Sequence, residues 1–447
     1  MKKHLVLGLA LLSAPLWAQQ EAKQFSLLEA QDYAARNSYT VQDKVLDYEK
    51  ARKTIKETAA MGLPQISGSF GYSYNAQVPK QPIPAQFFDP NAGEDDIAYV
   101  AFGVAHSNQA QFQLNQLLID GSYFVALQAT RVVKETKALE REEAEINARR
   151  NTAQSYYGAL VAEETLEILK ENLKTVKSNF DETQKLFENG FVEDQDVSQM
   201  ELLYNNLQNN VNNAERQVKL AYQLLKFNMG ISLEEEIVLS SSLEEVINPV
   251  RSDATLAQNP FQVDKHISFR NLLSQEKGAS LQLANERAKY FPTLSGFVTH
   301  SQSNFSNEAS QAFSFDTYWI PGTTIGASLS WNIFTGLART ARVQKAKIDL
   351  ERIRLAKTAT ESQLELQFHQ AQSDYDFALD NLSNQMRNRT LSERVRDRMQ
   401  RKYKEGLASS LELTQAENQY LEAERNYINA ILNVLNAKEA LEYALGQ

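Results

Sequence analysis

One text is written twice in this chain, and that duplication limits its possible folds more than any other feature. "LPQISG" at residues 63–68 is answered by "FPTLSG" at 291–296, so Pro64, Ser67 and Gly68 match Pro292, Ser295 and Gly296 at a constant offset of 228. "LFENG", ending at Gly190, is answered by "KYKEG", ending at Gly406, and the next matching glycines, Gly230 and Gly446, each follow after 40 residues. A chain of 447 residues with this internal repeat is expected to fold as one duplicated architecture. It divides into a first repeat over 19–230, a connector over 231–260 and a second repeat over 261–447.

Each repeat follows one plan. A helix (about Leu27 to Ala60; about Phe261 to Lys289) leads to a proline that opens a strand, and a loop, a second strand and a glycine follow (Gly121; Gly336). A helical segment of about 65 residues then runs to a tip near Gly190 or Gly406, and a shorter one returns. Leu166, Leu169, Leu173, Val176, Phe180, Thr183 and Phe187 recur at alternating spacings of three and four. So do Met200, Tyr204, Leu207, Val211 and Ala214 on the first return, and Leu413, Ala416, Tyr420, Ala423, Tyr427 and Ala430 on the second. A sustained seven-residue apolar repeat means left-handed coiled coils.

The strands have a different period. In "AQFQLNQLL", Ala110, Phe112 and Leu114 alternate with Gln111, Gln113 and Asn115. Strands are expected over 65–75, 108–119, 293–303 and 323–334, each with an apolar face and a face of serine, threonine or amide residues. Their length suits the roughly 9 to 11 residues that cross an outer membrane at a tilt, and an uncharged polar face suits a water-filled lumen. Phe112 and Leu114 are then expected to face lipid and Gln111 and Gln113 the lumen, with Trp331 in an aromatic girdle. Four strands do not close a barrel and open edges do not survive in lipid, so membrane insertion requires strands pooled from two or three copies. The Pro-rich, acidic loop after Ala76 would be extracellular.

Composition agrees. Lys2 and Lys3 precede an apolar run from Leu5 to Leu12, and Ala18 offers a small residue for cleavage, as in an export signal over 1–18. The formal charge of -10, about -12 without the signal, argues against a nucleic-acid partner. Cysteine is absent, which removes disulfides, thiolate metal sites and a lipid-modified N-terminal cysteine. The histidines (His4, His106, His266, His300 and His369) are scattered, and no HExxH, GxSxG or Gly-rich phosphate loop occurs. No enzyme, metal or cofactor is expected. The many carboxylates on long helices read as solvated faces.

The twice-repeated order of helix, Pro-led strand, strand, "LLIDG" or "NIFTG", long helix, Gly, returning helix and Gly resembles the TolC-like outer-membrane efflux protein family along almost the whole chain. The resemblance implies a mainly α fold with a membrane β part. In that fold a homotrimer forms a twelve-stranded barrel on a coiled-coil periplasmic tunnel. It implies an outer-membrane exit duct of a tripartite efflux or type I secretion system, with a periplasmic adaptor and an inner-membrane transporter as partners and no cofactor. The tips, "NGFVEDQDV" and "YKEGLASSLELTQ", would be the docking and gating region, carried by Gly190, Asp194, Asp196, Tyr403, Gly406, Glu412 and Gln415. Asp194 or Asp196 would cap the returning helix. Ala408 and Gln415 depart from the family pattern, where a gate arginine and a constriction aspartate can stand. Among axis-lining positions only Glu412 would then supply charge. An exported coiled-coil stalk or adhesin is the competing reading, but a stalk requires neither the duplication nor a polar strand face.

Overall fold

A computed structural model describes residues 23–252, 259–314 and 316–446. The expected signal over 1–18 and part of the connector lie outside these residues. The first repeat comprises β1 (Lys23–Phe25), α1 (Leu27–Asn37), α2 (Tyr39–Ala60), β2 (Gln65–Tyr74), β3 (Lys80–Pro84), β4 (Ile97–Ala101), β5 (His106–Ile119), α3 (Gly121–Glu188) and α4 (Asp194–Met229). The connector holds β6 (Ile237–Leu239) and α5 (Leu243–Ser252). The second repeat comprises α6 (Ile267–Ala288), β7 (Thr293–Ser306), α7 (Ala309–Ala312), β8 (Ile320–Ser330), α8 (Ala338–Lys404) and α9 (Ser410–Ala444). Two compact units emerge, and each draws on both repeats.

The first unit takes the described residues of Met1–Asp43, Glu142–His266 and Gln363–Gln447. Its main core gathers Phe25, Val41, Tyr156, Tyr157, Ile247, Tyr375, Ile431 and Leu435. β1 and β6, more than two hundred residues apart in sequence, pair in parallel through Phe25↔Leu239 and its neighbours. The hydroxyl of Tyr156 donates to the Phe25 carbonyl at 2.9 Å. Below this core in sequence, α3 and α4 form the expected seam: Val176, Met200 and Leu207 are buried, and the Phe180 and Tyr204 rings stack at 6.0 Å.

The helix expected from Leu27 to Ala60 is broken at Ser38, whose ψ of 144° is extended. Asn37 and Ser38 compete for backbone partners, as such residues do at helix ends: the Asn37 amide donates to the Tyr33 carbonyl at 2.9 Å. The break leaves room for Gly230, where an added Cβ would lie 2.3 Å from the Asn37 carbonyl oxygen. The second repeat does the same. Gly446 sits against Lys265 and His266, which are Asn37 and Ser38 shifted by the repeat offset, and α6 starts only at Ile267 rather than at Phe261. Gly230 and Gly446 both hold left-handed backbone, with φ of 75° and 77°.

The second unit, Lys44–Arg141 with Ile267–Ser362, holds a four-stranded antiparallel sheet in the order β2-β5-β7-β8. Residues paired across strands share a face. One face therefore carries Ile66, Leu114, Val298 and Ile325 in one row and Gly68, Phe112, His300 and Thr323 in the next. The opposite face carries Ser67, Gln113, Thr299 and Thr324, then Ser69, Gln111, Ser301 and Gly322. None of the four strands contains Asp, Glu, Lys or Arg. The amides of Gln111, Gln113 and Asn115 are linked along β5, at 3.4 and 3.1 Å.

Phe297, which interrupts the polar face of β7, lies opposite Gly326, and an added Cβ at Gly326 would meet its ring at 2.6 Å. The missing side chain on β8 makes the space for that ring. Toward His106 the apolar face turns polar, with Asn108, Asn304 and Ser306. There it is roofed by the α7 segment: the Asn108 amide donates to the Ala312 carbonyl, and Phe313 lies 5.0 Å from Tyr72.

Three strand ends, at Gln65, Ile119 and Thr293, fall where expected, and the other five differ by one to four residues. β5 and β7 extend to His106 and Ser306, which pair with each other. β8 runs from Ile320 to Ser330 rather than over 323–334, because its last partner, Thr293, follows Pro292, which has no N–H to continue the ladder. Trp331 thus lies one residue beyond the strand, and its indole N–H donates to the Tyr290 carbonyl at 3.1 Å. The acidic loop after Ala76 is not irregular. It contains the β3–β4 hairpin, tightened where Asp96 accepts from the Gly93 N–H at 2.8 Å.

Candidate functional site: the twin helical tips

Both tips belong to the first unit, and both are built by the same local chemistry. At the end of α3 the Gly190 N–H donates to the Phe187 carbonyl at 2.8 Å and the Phe191 N–H to the Leu186 carbonyl at 2.9 Å. At the end of α8 Gly406 and Leu407 bond to Tyr403 and Lys402 at 3.0 and 2.8 Å. These are paired Schellman closures, in which a left-handed residue satisfies the last carbonyls of a helix. Gly190 and Gly406 supply that conformation with φ of 78° and 71°. Unlike Gly230, neither has an atom within 4 Å of an added Cβ.

The returning helices begin with matched acids six residues after each glycine. At α9 a capping box closes: the Glu412 carboxylate accepts from the Ser409 N–H at 2.9 Å and from its hydroxyl at 3.0 Å. These bonds to the charged form hold the Glu412 carboxyl below the usual glutamate range. At α4 the corresponding acid is Asp196, which accepts from the Glu193 N–H at 3.2 Å. Asp194, in contrast to the expectation that it could cap, is the exposed first residue of α4, and Glu193 takes the N-cap place.

Side chains then tie the two hairpins together. The hydroxyl of Ser410 donates to Asp196 and lies 2.8 Å from the Gln199 side-chain amide. Both neighbours present an oxygen, Oδ1 of Asp196 and Oε1 of Gln199, and a hydroxyl has one hydrogen, so Ser410 donates to one of them at a time. Thr183 spends its own hydrogen on the Asn179 carbonyl at 2.8 Å, which makes Tyr403 the donor in the 2.6 Å contact between their hydroxyls. Burial pushes the Tyr403 phenol up, so this donor stays protonated well into alkaline pH. Asp196 and Tyr403 are thus brought into one cross-linked tip, Gly190 and Gly406 shape its turns, and Glu412 closes its second helix. Gln415 is exposed on the second turn of α9.

Two features escaped sequence reasoning. The residues after the twin glycines, Phe191 and Leu407, are apolar and lie 77% and 71% exposed; their matched position after each glycine was the available signal. Not every carboxylate on the long helices is solvated, either: Glu417 and Glu424 on α9 are only 1% and 2% exposed. The Arg389 guanidinium meets Glu424 at 2.7 Å. Their signal was a seven-residue spacing facing Arg389 and Arg396 on α8, also seven apart.

The described residues thus comprise a charge-free four-stranded sheet with one apolar face and two unpaired edges and, in the other unit, paired coiled-coil hairpins, the make-up of a channel-forming chain. The sequence profile described as outer membrane efflux protein matches residues 31–230 and 269–447, and the chain belongs to that family of outer-membrane channels. No curated protein sequence matches significantly. Among solved structures the fold is similar to that of CusC, with a TM-score of 0.72, 16% identity and coverage of 94% of this chain and 91% of CusC. VceC of Vibrio cholerae gives a TM-score of 0.68 at 13% identity, covering 94% and 96%. The Campylobacter jejuni outer membrane channel CmeC gives 0.69 at 16%, covering 94% and 85%.

Proposed function

We propose that three copies of this chain close their sheets into one twelve-stranded barrel, with Phe112 and Leu114 toward lipid and Gln111 and Gln113 toward the lumen. In this reading Trp331 stands at the membrane interface and residues 1–18 are removed on export. The channel is a passive exit duct, fed through its tips by a periplasmic adaptor and an inner-membrane transporter. The observation that carries the reading is the sheet itself. Its end strands β2 and β8 each leave one edge unpaired, and each runs antiparallel to its neighbour through the whole order. A β8 edge of one copy therefore continues the alternation onto the β2 edge of the next. Eight strands from two copies are enough for a barrel, but the resemblance to the TolC-like family implies three. The exposed Phe191 and Leu407 offer the adaptor an apolar anchor on each hairpin.

Fractionation, native mass and planar-bilayer recording test this together. A detergent-extracted trimer with stepwise conductance is expected. Protein that stays soluble without detergent and carries no current would make the chain a stalk or adhesin instead.

Charge at the entrance gives a second measurement. Three copies of an axis-lining acid act at close range in a narrow opening. Gln415→Asp is expected to raise cation preference and block by multivalent cations, and Glu412→Gln to lower both. Unchanged reversal potentials in the two variants would place the constriction elsewhere on the tip.

A further inference from the structure

On the paired helices α8 and α9, Arg389 meets Glu424 and, one heptad toward the tip on each helix, Arg396 lies over Tyr420 and within electrostatic reach of Glu417. The first layer makes its ion pair, at 2.7 Å. The second does not. Arg396 turns its guanidinium to Asp397, its own neighbour on α8, at 2.7 Å, while its plane lies 3.9 Å from the Tyr420 ring. Glu417 is left 1% exposed with a buried carboxylate oxygen, Oε1, that has no hydrogen-bond partner.

We propose that Arg396 has two carboxylate partners and that its transfer between Asp397 and Glu417 is a switch that tightens or releases the seam next to the tip. On Asp397 it bridges nothing but its own helix, apart from its contact with the Tyr420 face. On Glu417 it clamps α8 to α9, as Arg389 does one heptad away. Seven residues further on along each helix, Ser410 holds Asp196 and Tyr403 holds Thr183, so the clamp borders the tip network. The proposal rests on the tips being the channel entrance.

Protonation of Glu417 sets the direction. Burial pushes its carboxyl up to about 6, opposed by Arg396 and reinforced by Asp397. Around it, α8 supplies Arg396 and Asp397, and α9 supplies Tyr420 and Glu424 one heptad on. From α3, Glu164 acts on the neighbouring Arg389–Glu424 layer; Val176, Leu203 and Leu207 pack with Leu413 of α9 and do not ionise, and Tyr204 lies beside that cluster. A carboxyl raised in the folded state favours the observed arrangement at acid pH and loses that support as pH rises through about 6. Above that point a buried unpaired carboxylate is costly, and recruiting Arg396 relieves it. The released seam is thus the acid state and the clamped seam the neutral one.

The chain has no cysteine, so a spin label at Gln415→Cys reports the tip, alongside open probability in bilayers. In the wild-type background both readouts are expected to change between pH 7.5 and pH 5.0, with wider label separations and more opening at the acid value and a midpoint near pH 6. Glu417→Gln, which keeps shape and removes the charge, is expected to hold the acid state at both pH values. Asp397→Asn, on the surface, is expected to favour the clamped state and move the transition to lower pH. Wild-type label separations that do not respond, or a Glu417→Gln protein that responds as wild type does, would overturn the proposal. Label separations that switch without any current would leave it standing and overturn the channel reading instead.

Discussion

Gly230→Ala is expected to be among the most damaging single-methyl substitutions in the chain, and Gly190→Ala, at an equally left-handed residue, a mild one. Both pay the cost of an L side chain at positive φ, about 1–2 kcal/mol. At Gly190 that is all, because nothing lies within 4 Å of the new atom. At Gly230 the same methyl would lie 2.3 Å from the Asn37 carbonyl oxygen and 2.9 Å from its carbon. Backbone cannot swing aside as a flexible side chain can, so the break between α1 and α2 must shift, for a total of about 3–5 kcal/mol. Thermal melting and oligomer yield in detergent check the pair. Equal losses at the two glycines would mean that backbone conformation alone sets the cost. Gly446→Ala, pressed on Lys265 and His266 at 3.1–3.3 Å, is expected to fall between them.

The second large effect lies in the sheet. Phe112 is exposed on the apolar face, with its ring 3.3 Å from the position of a Cβ on Gly68, and Gln113 is its neighbour on the polar face. With the apolar face in lipid, Phe112→Arg costs about 2–4 kcal/mol per copy near mid-membrane, and Gln113→Arg, into water, far less. Phe112→Arg is expected to abolish assembled channel in membrane fractions, and Gln113→Arg to leave trimer yield near wild type. Equal or reversed yields would mean the faces are assigned the wrong way round.

Much of this architecture is written locally and could be read from the sequence. Proline, glycine and periods of two and three-and-a-half residues mark the strands, the long helices and both tips, because each reflects backbone geometry within a few residues. What escaped depends on partners far away in the chain. The break at Ser38 follows from competition by Asn37 and Ser38 for backbone groups and from the approach of Gly230. The parallel pairing of Phe25 with Leu239 joins three-residue strands too short to show a period. Glu417 and Glu424 look solvated until α8 is laid against α9, because a buried acid is defined by its neighbours across the seam. Of the tip residues, Gly190, Gly406 and Tyr403 were legible from position. The capping by Asp196 and Glu412 was only partly so, since which of several adjacent acids caps a helix is decided by one residue of register.

The unlike edges of the sheet restrict the symmetry of any assembly made from it. Two β2 edges related by a twofold axis perpendicular to the sheet would pair antiparallel, and the helices of one copy would then emerge on the wrong side of the membrane. With the axis along the strands instead, the direction is kept, but the Phe112 face of one copy lies beside the Gln113 face of the other. Only head-to-tail joining of β8 to the next β2 preserves both direction and face, and such joining yields either a closed ring or an unending ribbon. A bilayer admits the ring, since it alone leaves no backbone edge in hydrocarbon. Before insertion nothing forbids the mirror-like pairings. The membrane itself would therefore proofread the joining, rejecting every arrangement that does not close head to tail.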